Sequence, residues 1–148
     1  MKLSFLLWLA SVLPQSAADP LCLAATVYLE ARDQPVAGQQ AVAEVALRRQ
    51  ADGRWGDSVC EVVTAPKQFA PSLVNPNLRL GSVQAWQKAV EVAFEAQQDW
   101  QAPAAQRHEL VPGASHFAAL HARPTWASYP VVARIGEHRF YRVERLND

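Results

Sequence analysis

The stretch Tyr28-Leu29-Glu30-Ala31-Arg32 puts a carboxylic acid where proton transfer chemistry is feasible. Leu23, Val27 and Glu30 fall at i, i+4 and i+7, so a helix here carries the carboxyl on an apolar stripe. The last turn of that helix presents the negative end of its macrodipole, and Asp33 follows three residues on. Partial burial, the helix end and the like charge all favour the protonated form, which a general acid needs near neutral pH. Arg32 or Arg48 would oppose this by folding over the carboxyl. On these grounds alone, an ordinary solvated glutamate at a helix rim fits the pattern equally well.

Other side chains offer recognition rather than bond-making. Gln68 and Phe69 follow a loop and are candidates to line a binding cleft, with loop packing as the alternative. Trp126, in Pro124-Thr125-Trp126-Ala127, offers apolar area and one N–H donor, suited to ligand stacking or to core packing. Tyr28 lies near Glu30 and suits either substrate hydrogen bonding or core filling. His116, His121 and His138 are scattered, and a hydrogen-bonded structural histidine is the expectation for each. No metal site or cofactor is expected. Two cysteines cannot by themselves build a structural zinc site, and no histidine stands at ligand spacing from either.

The elements that must position these groups follow from periodicity and breakers. A helix is expected over Leu21–Arg32, ended by Asp33-Gln34-Pro35, and a second runs from Pro35 in its first turn to about Ala51. Gly38 within it suggests close approach of another helix. Asp52-Gly53 makes a turn, and Ser58 caps a short helix over Val59–Thr64 with Glu61 at capping-box spacing. Residues 65–81, rich in Pro and Asn, read as an ordered loop. Ser82 caps a helix to about Gln98 whose Val83, Trp86, Val90 and Phe94 share one face, which marks Trp86 and Phe94 as core. Strands are expected over Ala114–Leu120, Val131–Ile135 and His138–Val143, with Gly136-Glu137 as a hairpin turn better suited to type II′. Helices first and a small antiparallel sheet after them make an α+β domain.

The chain has 148 residues, one domain's worth, and its 14 basic residues balance 14 acidic ones, so no charge excess points to nucleic acid. Residues 1–18 read as a signal peptide: Met1-Lys2, an apolar run from Leu3 to Leu13 too short to span a bilayer comfortably, and Ser16-Ala17-Ala18 as a processing site. The mature domain is then 19–148, exported to the periplasm, the cell envelope or the medium, whether the signal is removed or kept as an anchor. In that setting the pair Cys22 and Cys60 favours a disulfide, closing a loop of about forty residues worth roughly 3–4 kcal/mol.

The ordered blocks resemble the cell-wall hydrolases of the SleB/CwlJ type, a family that includes spore cortex-lytic enzymes. Leu23 to Arg32 is similar to the family's apolar helix ending in Tyr-x-Glu-Ala-Arg, and Gly38-Gln39-Gln40-Ala41-Val42-Ala43-Glu44-Val45 follows at the expected distance. Ser58-Val59-Cys60-Glu61-Val62-Val63, Lys67-Gln68-Phe69, Ser115-His116-Phe117, Pro124-Thr125-Trp126-Ala127 and Ile135 to Arg142 resemble the later blocks. The resemblance implies a lysozyme-like, mainly helical domain that cleaves the glycan strands of peptidoglycan. It also implies that Glu30 is the catalytic acid of a lytic-transglycosylase-type reaction at the bond between N-acetylmuramic acid and N-acetylglucosamine. One essential carboxyl suffices for that reaction, whereas glycosidases using water generally employ two. A monomer acting on glycan strands, with no membrane span in the mature form, is expected.

Asp33 and Gln34 replace the family's usual Gly-Glu, Arg48 its Asn, Ala70 its Ser and Ala118 an aromatic. Two alternatives stay open, the first from the wider family's range of activities and the second from the departures at Gln34, Arg48 and Ala118. One is an N-acetylmuramoyl-L-alanine amidase, which usually needs zinc held by histidine and a carboxylate or cysteine. The other is a peptidoglycan-binding module that has kept the fold and lost turnover.

Overall fold

Residues 15–31 are apolar on nearly every side, so the helix they form has no solvent face to offer and must lie inside. In the computed structural model, which describes residues 1–144, this helix is α2 (Gln15–Ala31), with Leu23, Ala24, Ala25, Thr26 and Val27 fully buried. The last four residues of the expected 19–148 domain lie outside the described residues. Around α2 pack α1 (Leu3–Val12), α3 (Val36–Asp52), the short α4 (Val59–Thr64) and α5 (Ala70–Leu73), and α6 (Val83–Trp100). A single 3-10 turn (Ala104–Gln106) leads to a three-stranded antiparallel sheet of β1 (His116–Ala119), β2 (Val131–Ile135) and β3 (His138–Tyr141), in the order β1-β3-β2. The expected α+β class, mainly helical with a small C-terminal sheet, is the one observed.

Local signals explain most boundaries. Pro35 stands just outside α3, where its missing N–H costs no helical bond. Ser58 Oγ accepts from the Glu61 amide at 3.1 Å, and the Glu61 carboxylate in turn accepts from the Asp57 amide at 2.7 Å, one residue before the expected capping-box partner. Ser82 caps α6 through the Ala85 amide. At the β2–β3 turn Gly136 has φ 58° while Glu137 keeps a negative φ, which agrees with a type II′ turn.

Three expectations are corrected. Helix α2 starts at Gln15 rather than Leu21, because Pro20 loses one helical bond without stopping the helix. Gly38 faces Ile135 of β2 instead of another helix, and a Cβ there would sit at contact distance, 3.6 Å from that side chain. The stripe expected to make the core of α6 is split. Val83 and Phe94 are exposed, Trp86 and Val90 are half-buried and packed against the core, and Ala89, Val92 and Ala93 are buried. Small residues bring α6 close against α2, its most extensive neighbour, and that close approach outweighs the larger apolar side chains.

The apolar run of the expected signal forms α1, with Leu3, Leu6 and Ala10 buried, and α2 passes unbroken through Ala18–Asp19. Cys22 and Cys60 are disulfide-bonded, with Cα atoms 5.2 Å apart, joining α2 to α4. Nearby, the buried Asp19 carboxylate accepts from the Cys60 amide.

A second tie is ionic. The buried Glu44 carboxylate on α3 accepts from the amides of Leu110 and Val111 at 2.7 and 2.8 Å and pairs with Arg48, which also reaches Glu109. It anchors the long connection between α6 and the sheet. Glu44→Ala leaves two amides without their acceptor and Arg48 with Glu109 as its remaining carboxylate, so a loss of about 3–5 kcal/mol is expected in urea unfolding. A change below about 1 kcal/mol would contradict that role.

Candidate active site

Glu30 emerges from the buried helix α2 at its last turn, where the core ends and a cleft opens. The cleft has a volume of about 310 Å³ and is lined by Glu30, Arg49, Lys67, Gln68, His116 and Trp126, with Leu73 and Phe117 as apolar walls. Glu30 is the only carboxylate among these lining residues. Its Oε1 accepts the Ala70 amide at 2.7 Å, which fixes the carboxyl against the start of α5. Burial pushes its pKa above the ordinary carboxylate value, and the Ala70 hydrogen bond and the Arg49 charge partly offset that rise. The group therefore favours the protonated form, and the same two neighbours stabilise the carboxylate left once the proton has gone.

Arg49 is the residue that the sequence reading missed. It is 4% exposed, and its Nε donates to the Ser115 carbonyl at 2.7 Å and its Nη1 to Gln68 Oε1 at 2.9 Å. The guanidinium also lies over the rings of Trp55 and Phe69, 4.7 and 4.8 Å from their centroids. Burial and the charge of Arg54 lower its pKa to about 10, with Glu30 acting the other way, so it stays cationic near neutral pH. The expected opponents of Glu30 are engaged elsewhere. Arg32 lies over Tyr28, and Arg48 binds Glu44, Glu109 and the Ala114 carbonyl. Asp33 does not figure among the causes of the Glu30 shift; its charge acts on His138.

The other candidate residues divide clearly. Gln68 and Trp126 line the cleft, and Trp126 packs at 4.8 Å from the His116 ring and 5.1 Å from Tyr141. Phe69 is buried under Arg49 and packs against Phe117, so it supports the wall without lining it. Tyr28 is not brought to the cleft. It is 4% exposed, its hydroxyl accepts the Ser82 amide, and its ring meets Trp86 edge-on, which matches its core-filling alternative. Among the histidines His116 lines the cleft, His138 is buried and His121 is exposed. Among the described residues no three His, Cys, Asp or Glu side chains are gathered to hold a metal ion.

The departures from the resembled pattern are accommodated. Arg48 points away from the cleft, and Gln34 Oε1 accepts the Glu137 amide to pin the β2–β3 turn. Ala70 serves Glu30 through its backbone N–H, which any residue other than proline supplies. At the remaining site, Ala118 pairs with Arg139 across β1 and β3.

A family model described as Cell Wall Hydrolase matches residues 33–141. The chain belongs to the cell wall hydrolase family. The matched segment begins three residues after Glu30 and contains the rest of the cleft. The fold is similar to the crystal structure of the catalytic domain of the Bacillus cereus SleB protein, with a TM-score of 0.67 and 24% identity over 83% of this chain and 88% of that one. It is equally similar to the catalytic domain of the germination-specific lytic transglycosylase SleB from Bacillus anthracis, with a TM-score of 0.66 and 24% identity over 83% and 93% of the two chains. No curated protein matches the sequence. Family and fold together make this chain a cell-wall hydrolase with a SleB-like architecture.

His116 gives the site a measurable signature. Burial, then the charges of Arg49 and Arg54, lower its pKa to about 3. The folded imidazole therefore stays neutral while the unfolded one takes up a proton below its reference value of about 6.5. Stability is then lost as pH falls from about 6.5 towards 3, by up to roughly 1.4 kcal/mol per pH unit from this group. His116→Gln should flatten the fall in unfolding free energy over that window, and an unchanged slope would contradict the assignment.

Proposed function

We propose that the protein is an exported lytic transglycosylase that cleaves peptidoglycan between N-acetylmuramic acid and N-acetylglucosamine, with Glu30 as its general acid. The observation that carries this reading is a single desolvated carboxyl in a cleft walled by an indole and a glutamine. Protonated Glu30 donates to the glycosidic oxygen as the bond from C1 breaks. The 6-hydroxyl of the same muramyl ring attacks C1, and its proton returns to the Glu30 carboxylate. The products are a 1,6-anhydromuramoyl end and a free sugar hydroxyl, and the acid is regenerated without water. During the interval in which Glu30 is ionised, the Ala70 amide and the Arg49 cation stabilise it.

Trp126 supplies a face for sugar stacking and Gln68, held by Arg49, supplies an amide for sugar hydroxyls. The disulfide, the apolar run over Leu3–Leu13 and the small residues before Asp19 support export, with action in the periplasm or cell envelope. A chain crossing a membrane is extended, so α2 poses no obstacle to processing before folding. No described helix is long and apolar enough to cross a membrane.

Purified protein incubated with sacculi should release muropeptides whose masses carry anhydro ends. Glu30→Gln should reduce that release by at least about 10²-fold while leaving the thermal unfolding transition in place. Full activity in Glu30→Gln would sink the assignment. Peptides freed from intact glycan, with loss of activity on chelation, would point instead to an amidase. Binding to sacculi without product would point to a non-catalytic module.

A further inference from the structure

A second cavity, of about 250 Å³, shares Arg49 with the Glu30 cleft. Among the described residues its lining carries Arg48, Arg49, Arg54 and Arg142 with the carboxylates Asp52 and Glu144. The catalytic reading gives this cavity no role. Arg49 lines both depressions, and Trp55, at the cavity wall, meets His116 of the cleft edge-on at 6.0 Å. The two spaces are thus neighbours sharing one wall.

Two features fit the cavity for an anion. Arg54 is fixed over Trp55, 4.5 Å from the ring centroid, on the indole that also carries Arg49. In addition, the partners of the two outer arginines are easily exchanged. Arg54 with Asp52 and Arg142 with Glu144 are surface ion pairs with side chains 38–68% exposed. Such pairs contribute about 0–1 kcal/mol, so an incoming carboxylate competes with them at little cost. Arg48, by contrast, is committed to Glu44 and Glu109.

We propose that this cavity binds the carboxylates of the acidic peptide carried by the muramyl sugar next to the scissile bond. The inference rests on the glycan-cleaving reading above. In peptidoglycan the peptide hangs from the ring whose C1 reacts. A sugar seated at Glu30 therefore brings a short, acidic chain to the same face of the protein as the cleft. A neutral glycan gives this arginine-rimmed cavity nothing to hold, whereas a peptide-bearing one gives it two or more carboxylates. The outer arginines are specificity residues, and they act on binding and not on the bond-breaking step.

The test compares cleavage of peptide-bearing glycan strands with strands stripped of their peptides, for wild type and for Arg54→Ala/Arg142→Ala. Wild type is expected to show a several-fold lower KM on peptide-bearing strands. The double variant should lose that advantage with kcat retained, and should be unchanged on stripped strands. Arg54→Lys/Arg142→Lys should recover part of the lost affinity, which separates charge recognition from damage to the fold. Equal KM on both substrates in wild type, or equal losses on both in the variant, would overturn the proposal while leaving glycan cleavage intact. Absence of cleaved product from either substrate would overturn the underlying reading instead.

Discussion

A buried guanidinium holds the catalytic side of this protein together. Arg49 leaves α3 and bonds two parts of the chain that are far apart in sequence, Gln68 in the loop before α5 and the Ser115 carbonyl before β1, while its charge acts on the Glu30 carboxyl at the end of α2. Placing a cation there is costly, because desolvation disfavours the charge. Two short hydrogen bonds and two aromatic faces offset that cost, and the Glu30 charge helps to keep the arginine protonated. The helical half and the small sheet are joined beside the Glu30 cleft.

The Glu30 carboxyl is balanced between two demands. A general acid must hold its proton until the leaving oxygen needs it and then give it up. Burial meets the first demand, and the Ala70 amide and Arg49 meet the second. Neither neighbour is supplied by α2 itself, so the acid's strength is set by the folding of α3 and of the loop leading to α5. Among the described residues Glu30 is the one carboxylate lining the cleft, which suits the proposed reaction, in which the substrate supplies its own nucleophile.

Much of this was legible in the sequence, for identifiable reasons. The apolar run of α2, the Ser58 and Ser82 caps and the Gly136 turn are local signals, and local signals survive folding. Spacing from Leu23 and Val27 made Glu30 a candidate, and the resemblance of the blocks around it singled it out as the acid. The environment of Glu30 was not legible. Arg48 and Arg49 are adjacent, and successive helix residues point about 100° apart, so only the packing of α3 decides which of them reaches the acid. The face of α6 was misjudged for a similar reason: hydrophobicity ranks Phe94 above Ala89, but close helix contact favours the smaller residue. Glu44 looked like an ordinary helical glutamate until the chain at Leu110 and Val111 folded onto it.

The central claim is that Glu30 is an acid tuned upward by burial and restrained by Arg49. A carbon-13 NMR titration of the Glu30 side-chain carboxyl tests it directly. The midpoint should lie above the ordinary glutamate value in the wild-type protein and rise further in Arg49→Met, where the opposing charge is gone. A wild-type midpoint at or below the ordinary value, or no change when Arg49 is replaced, would contradict this account.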